Sequence, residues 1–124
     1  MARPEFTCSV AVRHLPEQSD PKEHQYSFAY TVTIRNTGDT TGQLIARHWI
    51  ITDAHDHREE VRGLAVVGHQ PVLKPGEQFE YTSWTRIATP NGTMRGTFMC
   101  MTEEAEAFEA PVTEFGFTLA SALH

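Results

Sequence analysis

Three stretches of this 124-residue chain, and a fourth, scattered class of residues, hold the types able to do chemistry. The first is Gly63-Leu64-Ala65-Val66-Val67-Gly68, which has the outline of a glycine-rich phosphate loop with alanine at its middle glycine position. Such a loop binds pyrophosphate when a strand precedes it and a helix N-terminus follows, because the helix presents oriented N–H donors. Pro71 and Pro75 follow here and deny that helix. The structural alternative is that Gly63 permits a bulge and Gly68 a tight exit from a strand. Arg62 and Lys74 are the cations nearest this loop, and phosphate or nucleotide binding is expected to be weak.

The second stretch places Asp53, His55, Asp56 and His57 in one turn, where their nitrogen and oxygen atoms form a candidate divalent-cation site. Histidines two apart face the same way only in extended chain, and no second cluster obviously completes the shell; His48 is the nearest further donor. A solvated hairpin tip is the expected state. The third stretch, Arg47-His48-Trp49, gathers a cation, an imidazole and a large aromatic, a mixture common at recognition surfaces. Together with Gly63, Gly68, His69, Gln70 and Pro71 it forms the candidate binding surface, although Trp49 reads equally as core. Trp84 alternates with polar neighbours and is expected on an outer face.

The fourth class, nucleophiles and acid–base pairs, is thin. Ser83 and Cys100 fall within strand patterns without a nucleophile elbow, and Glu59-Glu60 and Glu103-Glu104 are sequence neighbours that a strand would point to opposite faces. The expectation is a non-enzymatic protein with no cofactor.

The elements that must position these residues read as strands. Tyr26, Phe28, Tyr30, Val32 and Ile34 alternate with small or polar residues, so His24 to Ile34 is predicted as a strand with one buried face. Gln43 to Thr52 is apolar on both faces and is predicted to be central. Phe6 to Val12, Glu59 to Val67, Phe79 to Trp84, Met94 to Met101 and Phe108 to Leu119 complete about seven strands, with turns at Asn36-Thr37-Gly38-Asp39, Asp53 to His57 and Pro90-Asn91-Gly92. His69 to Gly76 is an ordered loop or edge piece. An all-β, antiparallel β-sandwich of one domain, residues 1–124, is therefore predicted.

Bulk properties exclude several partners. Sixteen acids against ten bases give a net charge of −6, and no run of Lys or Arg could follow a phosphate backbone, so nucleic acid is not expected. No apolar run is long enough to span a bilayer or serve as a signal peptide. Two cysteines, Cys8 and Cys100, fit a reducing, cytoplasmic setting.

Longer motifs carry a resemblance. Arg47-His48-Trp49-Ile50-Ile51-Thr52-Asp53, Glu60 through Pro71, Lys74-Pro75-Gly76-Glu77-Gln78-Phe79-Glu80-Tyr81-Thr82-Ser83 and Gly92-Thr93-Met94-Arg95-Gly96 closely resemble the ApaG family in order and spacing, over about Glu5 to Leu119. That resemblance implies a fibronectin type III or immunoglobulin-like sandwich, reused in eukaryotes as a module fused to other proteins, which favours an unidentified protein partner. It also implies an accessory link to cobalt and magnesium tolerance or efflux. The family pattern has Gly-x-Gly-x-x-Gly where this chain has Ala65.

Overall fold

The computed structural model describes residues 2–119. Alternation of apolar side chains generates eight strands: β1 (Phe6–His14), β2 (Tyr26–Asn36), β3 (Gly42–Asp53), β4 (Arg58–Leu64), β5 (Val72–Leu73), β6 (Gln78–Ile87), β7 (Gly92–Thr102) and β8 (Ala107–Phe117). All pairings are antiparallel. One sheet has the order β1-β2-β6; the other runs β4-β3-β7-β8, with β5 pairing the start of β3. Their inner faces bury one cluster that includes Phe28, Val32 and Ile34 from the first sheet and Leu44, Phe98 and Phe117 from the second. The result is an antiparallel β-sandwich of the fibronectin type III and immunoglobulin-like kind.

Several boundaries differ from the periodic reading. β2 begins at Tyr26 because His24 adopts φ +56 and closes a 3-10 turn over Pro21–Glu23, one of two such turns that prolines open between β1 and β2. β4 stops at Leu64 instead of reaching Val67, since Ala65 and Val67 have positive φ. The edge piece predicted in His69 to Gly76 is β5.

The expectation that β3 is apolar on both faces is also refined. A bulge interrupts its register with β7 between Leu44 and Ala46, so one extra residue shifts the phase of the strand. Leu44 lies in the core before the bulge; Trp49 and Ile51 lie there after it. Leu44 thereby joins the inward face of Trp49 and Ile51, whereas Ala46 and Ile50 stay on the outer face, and β3 is central between β4 and β7 as expected. A second irregularity, between β7 and β8 at Met94/Gly96, likewise brings both Val112 and Phe117 inside.

Trp49 anchors the centre, 2% exposed, with Tyr30, Phe98 and Phe115 edge-on at ring-centroid distances of 5.9, 5.5 and 6.4 Å. Such aromatic pairs contribute roughly 0.5–1.5 kcal/mol each beyond their buried area. Space for the indole comes from Gly96 on β7, where a Cβ would collide with Trp49 Cε3 and the His48 carbonyl oxygen. Replacing Tyr30 with alanine removes one of these partners and leaves a cavity, so Tyr30→Ala is expected to destabilise by roughly 3 kcal/mol in urea melts. Glu104→Ala, on an exposed turn, should change the same melts by less than about 0.5 kcal/mol.

Candidate functional site

The β3 bulge leaves the Ile45 carbonyl facing the segment that follows β4, and that segment folds onto it. Ala65 N–H and the Gln70 side-chain amide both donate to Ile45 O, at 2.8 and 2.9 Å. Gln43 in turn donates to the Gln70 carbonyl at 3.0 Å, and Leu44 N–H to that of Pro71 at 3.1 Å. Between these ties Val66 and His69 exchange backbone hydrogen bonds of 2.8 and 2.9 Å around Val67 (φ +48) and Gly68 (φ +80). Two consecutive positive φ values in a two-residue connection match a type I′ turn. Gly68 is suited to this conformation; Val67, being β-branched, is strained in it.

This geometry redefines the glycine loop. No helix follows Gly68, and the amides of Ala65, Val66 and His69 already bond to carbonyl oxygens, so these donors of a phosphate cradle are engaged. Gly68 does provide the tight exit, but Gly63 creates no bulge: it sits in regular register opposite Arg47. A Cβ there would meet the Arg47 guanidinium at 2.9–3.2 Å, so the glycine's role is to seat that side chain. From its seat Arg47 Nη1 donates to the carbonyls of Leu64 and Ala65, at 2.8 and 2.9 Å, and clamps the chain where it leaves β4.

Arg47-His48-Trp49 does not form one surface. Trp49 is buried, and Arg47 shares its side of β3, so Trp49 is corrected from the outer recognition surface to a packing position between the sheets. His48 faces the other way, where its Nε2 lies 2.9 Å from Glu60 Oε1, an atom that also accepts from Arg62 Nη2 at 3.2 Å. Hydrogen bonds to His48 and then to Arg62 hold the Glu60 carboxyl below its ordinary range. Beside this trio the outer face carries a groove of about 490 Å³, walled by Ala46, Arg62, Leu64 and Met99. Leu64 is 72% exposed, and Val72 and Met101 continue the apolar strip past the bulge. His69 and Gln70 lie at the other side of the segment, with the His69 ring 5.5 Å from that of Phe79 on β6. Leu64, Met99 and Met101 were absent from the candidate surface because an apolar residue in a strand reveals its face only when the register is known.

At the turn after β3, Asp53 is turned inward. Its Oδ1 accepts from the backbone N–H of His55 and His57 at 2.8 and 3.0 Å, while Ala54 N–H is bound by Thr89 Oγ1. His55, Asp56 and His57 are exposed, and among the described residues no three His, Cys, Asp or Glu side chains are grouped to hold a metal ion. The Asp53–His55–His57 cluster thus works as a hydrogen-bonded turn. Desolvation pushes the Asp53 carboxyl upward, but the backbone donors of His57 and His55 prevail and lower it below the ordinary 3.8. Cys8 and Cys100 are free thiols, each pushed up to about 12, chiefly by burial.

Together the two sheets, the clamped segment and the open outer groove on β3, β4 and β7 define a small immunoglobulin-like module. The chain belongs to the ApaG domain family, whose profile matches residues 16–102. It is 58% identical to Protein ApaG of Ralstonia nicotianae over 124 residues, covering both chains fully. Protein ApaG of Bordetella pertussis is 55% identical over 120 residues, covering 97% of this chain and 92% of the relative. A crystal structure from Bordetella pertussis superposes with a TM-score of 0.92 at 55% identity, covering 94% and 95% of the two chains. Another X-ray structure, 38% identical, gives 0.90 over 97% and 91%.

The left-handed backbone at Ala65 (φ +67) is a conformation glycine adopts at less cost. Ala65→Gly is therefore expected to stabilise the fold by roughly 0.5–1 kcal/mol in denaturant melts. Neither protein should bind ATP or pyrophosphate tighter than about 1 mM in amide-shift titrations.

Asp53 yields a pH dependence. A carboxylate whose folded pKa is depressed adds stability above its unfolded pKa and loses it as pH falls through the folded value. Asp53→Asn should consequently lower the urea midpoint near neutral pH, and its deficit against the parent should shrink as pH falls below the ordinary 3.8.

Proposed function

We propose that this protein is a non-enzymatic recognition module of the cytoplasm that binds an extended segment of a partner protein along β4, seating an apolar side chain in the outer groove. The observation that carries this reading is the exposed Leu64 beside Met99 and Ala46 at the end of a strand that pairs only with β3. An edge strand offers unpaired backbone donors and acceptors, and a neighbouring pocket reads alternate side chains of an added strand. The Arg62–Glu60–His48 trio supplies a polar border to the apolar strip, the arrangement of hydrophobic centre and charged rim found in protein interfaces.

A non-enzymatic role is supported by the condition of the nucleophiles. Burial holds both thiols in the protonated form at neutral pH. Unpaired cysteines also accord with a reducing compartment. No helix among the described residues is long and apolar enough to cross a membrane. Cobalt and magnesium tolerance would then reach this protein through the partner it binds, as an accessory effect.

Leu64→Asp places a charge in the groove without touching the core, so its stability should stay within about 0.5 kcal/mol of the parent. Immobilised parent, Leu64→Asp and Glu104→Ala proteins, exposed to the same cell extract and compared by quantitative mass spectrometry, test the reading. A partner retained by the parent and Glu104→Ala but reduced about tenfold or more by Leu64→Asp is expected. Equal retention by all three would remove the groove from recognition.

A further inference from the structure

A second cavity, about 190 Å³, lies between the sheets instead of on their outer face. It opens on the side where β4 and β6 are the edge strands, under the segment clamped by Arg47. Tyr30, Tyr81 and Ser83 contribute hydroxyls, Trp49, Val66 and Val67 an apolar wall, and Arg47 the only charge among the described residues, none of whose carboxylates line it. Register places these groups together: Ser83 pairs with Tyr30 and Tyr81 with Val32, so alternation directs Tyr81 and Ser83 inward.

Tyr81 is 8% exposed, and its buried Oη has no hydrogen-bond partner among the described residues. Every other buried side-chain polar atom described has one, which makes this hydroxyl the exception that calls for an acceptor. Arg47 uses Nη1 for the two loop carbonyls, while its Nε and Nη2 donors make no hydrogen bond to described residues. Burial raises the Tyr81 phenol far above its ordinary range, against a smaller opposing pull from Arg47. At neutral pH both tyrosines are therefore neutral; the Tyr30 hydroxyl is bonded to the Ser83 side chain, and that of Tyr81 is the unpaired donor. The lining thus combines a fixed cation, neutral hydroxyl donors and an aromatic-aliphatic wall, a set that complements one anionic head on a compact apolar body.

We propose that this cavity binds a small organic carboxylate, its head held by Arg47 and the hydroxyls of Tyr81 and Ser83 and its apolar body lying against Trp49 and Val66. The volume is below the range of about 300–1,000 Å³ usual for drug-sized ligands and cofactors, so the ligand is a small acid and not a nucleotide. This site differs from the glycine loop in its chemistry: its donors are side chains, whereas the loop amides of Ala65, Val66 and His69 are bonded to carbonyls.

The two indoles make the test internal to one spectrum. Trp49 lines the cavity, whereas Trp84 lies on the outer face, half exposed, with the Arg86 guanidinium 5.6 Å from its ring centroid. Benzoate, acetate and inorganic phosphate are titrated at matched ionic strength while the indole N–H of both tryptophans and the amides of Val66 and Val67 are followed by NMR. Benzoate should give saturable shifts at Trp49, Val66 and Val67 with a Kd of about 1 mM or tighter. Trp84 should stay unmoved, and acetate should bind more weakly than benzoate. Tyr81→Phe should weaken benzoate about fivefold or more without lowering the melting temperature, since the ring is kept and only the unpaired hydroxyl is removed. Should Tyr81→Phe not fold, Ser83→Ala provides a second arm and should weaken binding about twofold or more. Non-saturating shifts, equal movement of Trp84, phosphate binding as tightly as benzoate, or unchanged affinity in the tyrosine variant (in the serine variant where that one is used) would overturn the proposal. So would a benzoate-soaked crystal in which Tyr81 Oη contacts only an ordered water.

Discussion

The one-residue bulge in β3 is the constraint on which the surrounding structure depends. Strand side chains alternate with a period of two, so an extra residue between Leu44 and Ala46 exchanges the faces of everything beyond it. Without that step Trp49 and Ile51 could not share the core with Leu44, and Arg47 would point to solvent. The same bulge releases the Ile45 carbonyl from the sheet ladder, where it becomes the acceptor that draws in Ala65 and Gln70. A local irregularity thereby sets both the core and the path of the chain after β4.

Strain and clamping are balanced along that path. Left-handed backbone at Ala65 and Val67 is unfavourable for both residues, more so for the β-branched one, and persists only where the surroundings enforce it. Arg47 over Gly63, the Val66 side chain in the core and the paired Val66–His69 backbone supply that enforcement. Glycine is thus needed at Gly68 for its φ, whereas at Gly63 the requirement is room for a guanidinium.

Arg47 also stands between two different environments. The outer groove has it at its base, next to the apolar Leu64 and Met99, and the inner cavity has it as the only charge among the described residues. Its two bonds to the Leu64 and Ala65 carbonyls hold the end of β4 where the two features adjoin. The partner-binding reading uses the outer face and the carboxylate reading the inner one, so each stands on its own contacts.

The sequence by itself determined the sandwich, because two-residue alternation in Tyr26–Asn36 and turn chemistry at Asn36, Asp53 and Asn91 are local signals. It also carried the family through long ordered motifs, and the outward position of Trp84 through its polar neighbours. Tertiary structure alone decided which faces β3 presents, for a bulge depends on pairing with β7 and leaves no mark in one strand's composition. It separated His48 from Trp49, turned Asp53 from a metal candidate into a turn acceptor, and assigned Gly63 to Arg47. Each of these roles rests on a partner or pairing outside the residue's own strand pattern, and two strands' register is a property of the pair. The unpaired Tyr81 hydroxyl is legible only there as well, since hydrogen-bond satisfaction is a fact about surroundings and not about residue type.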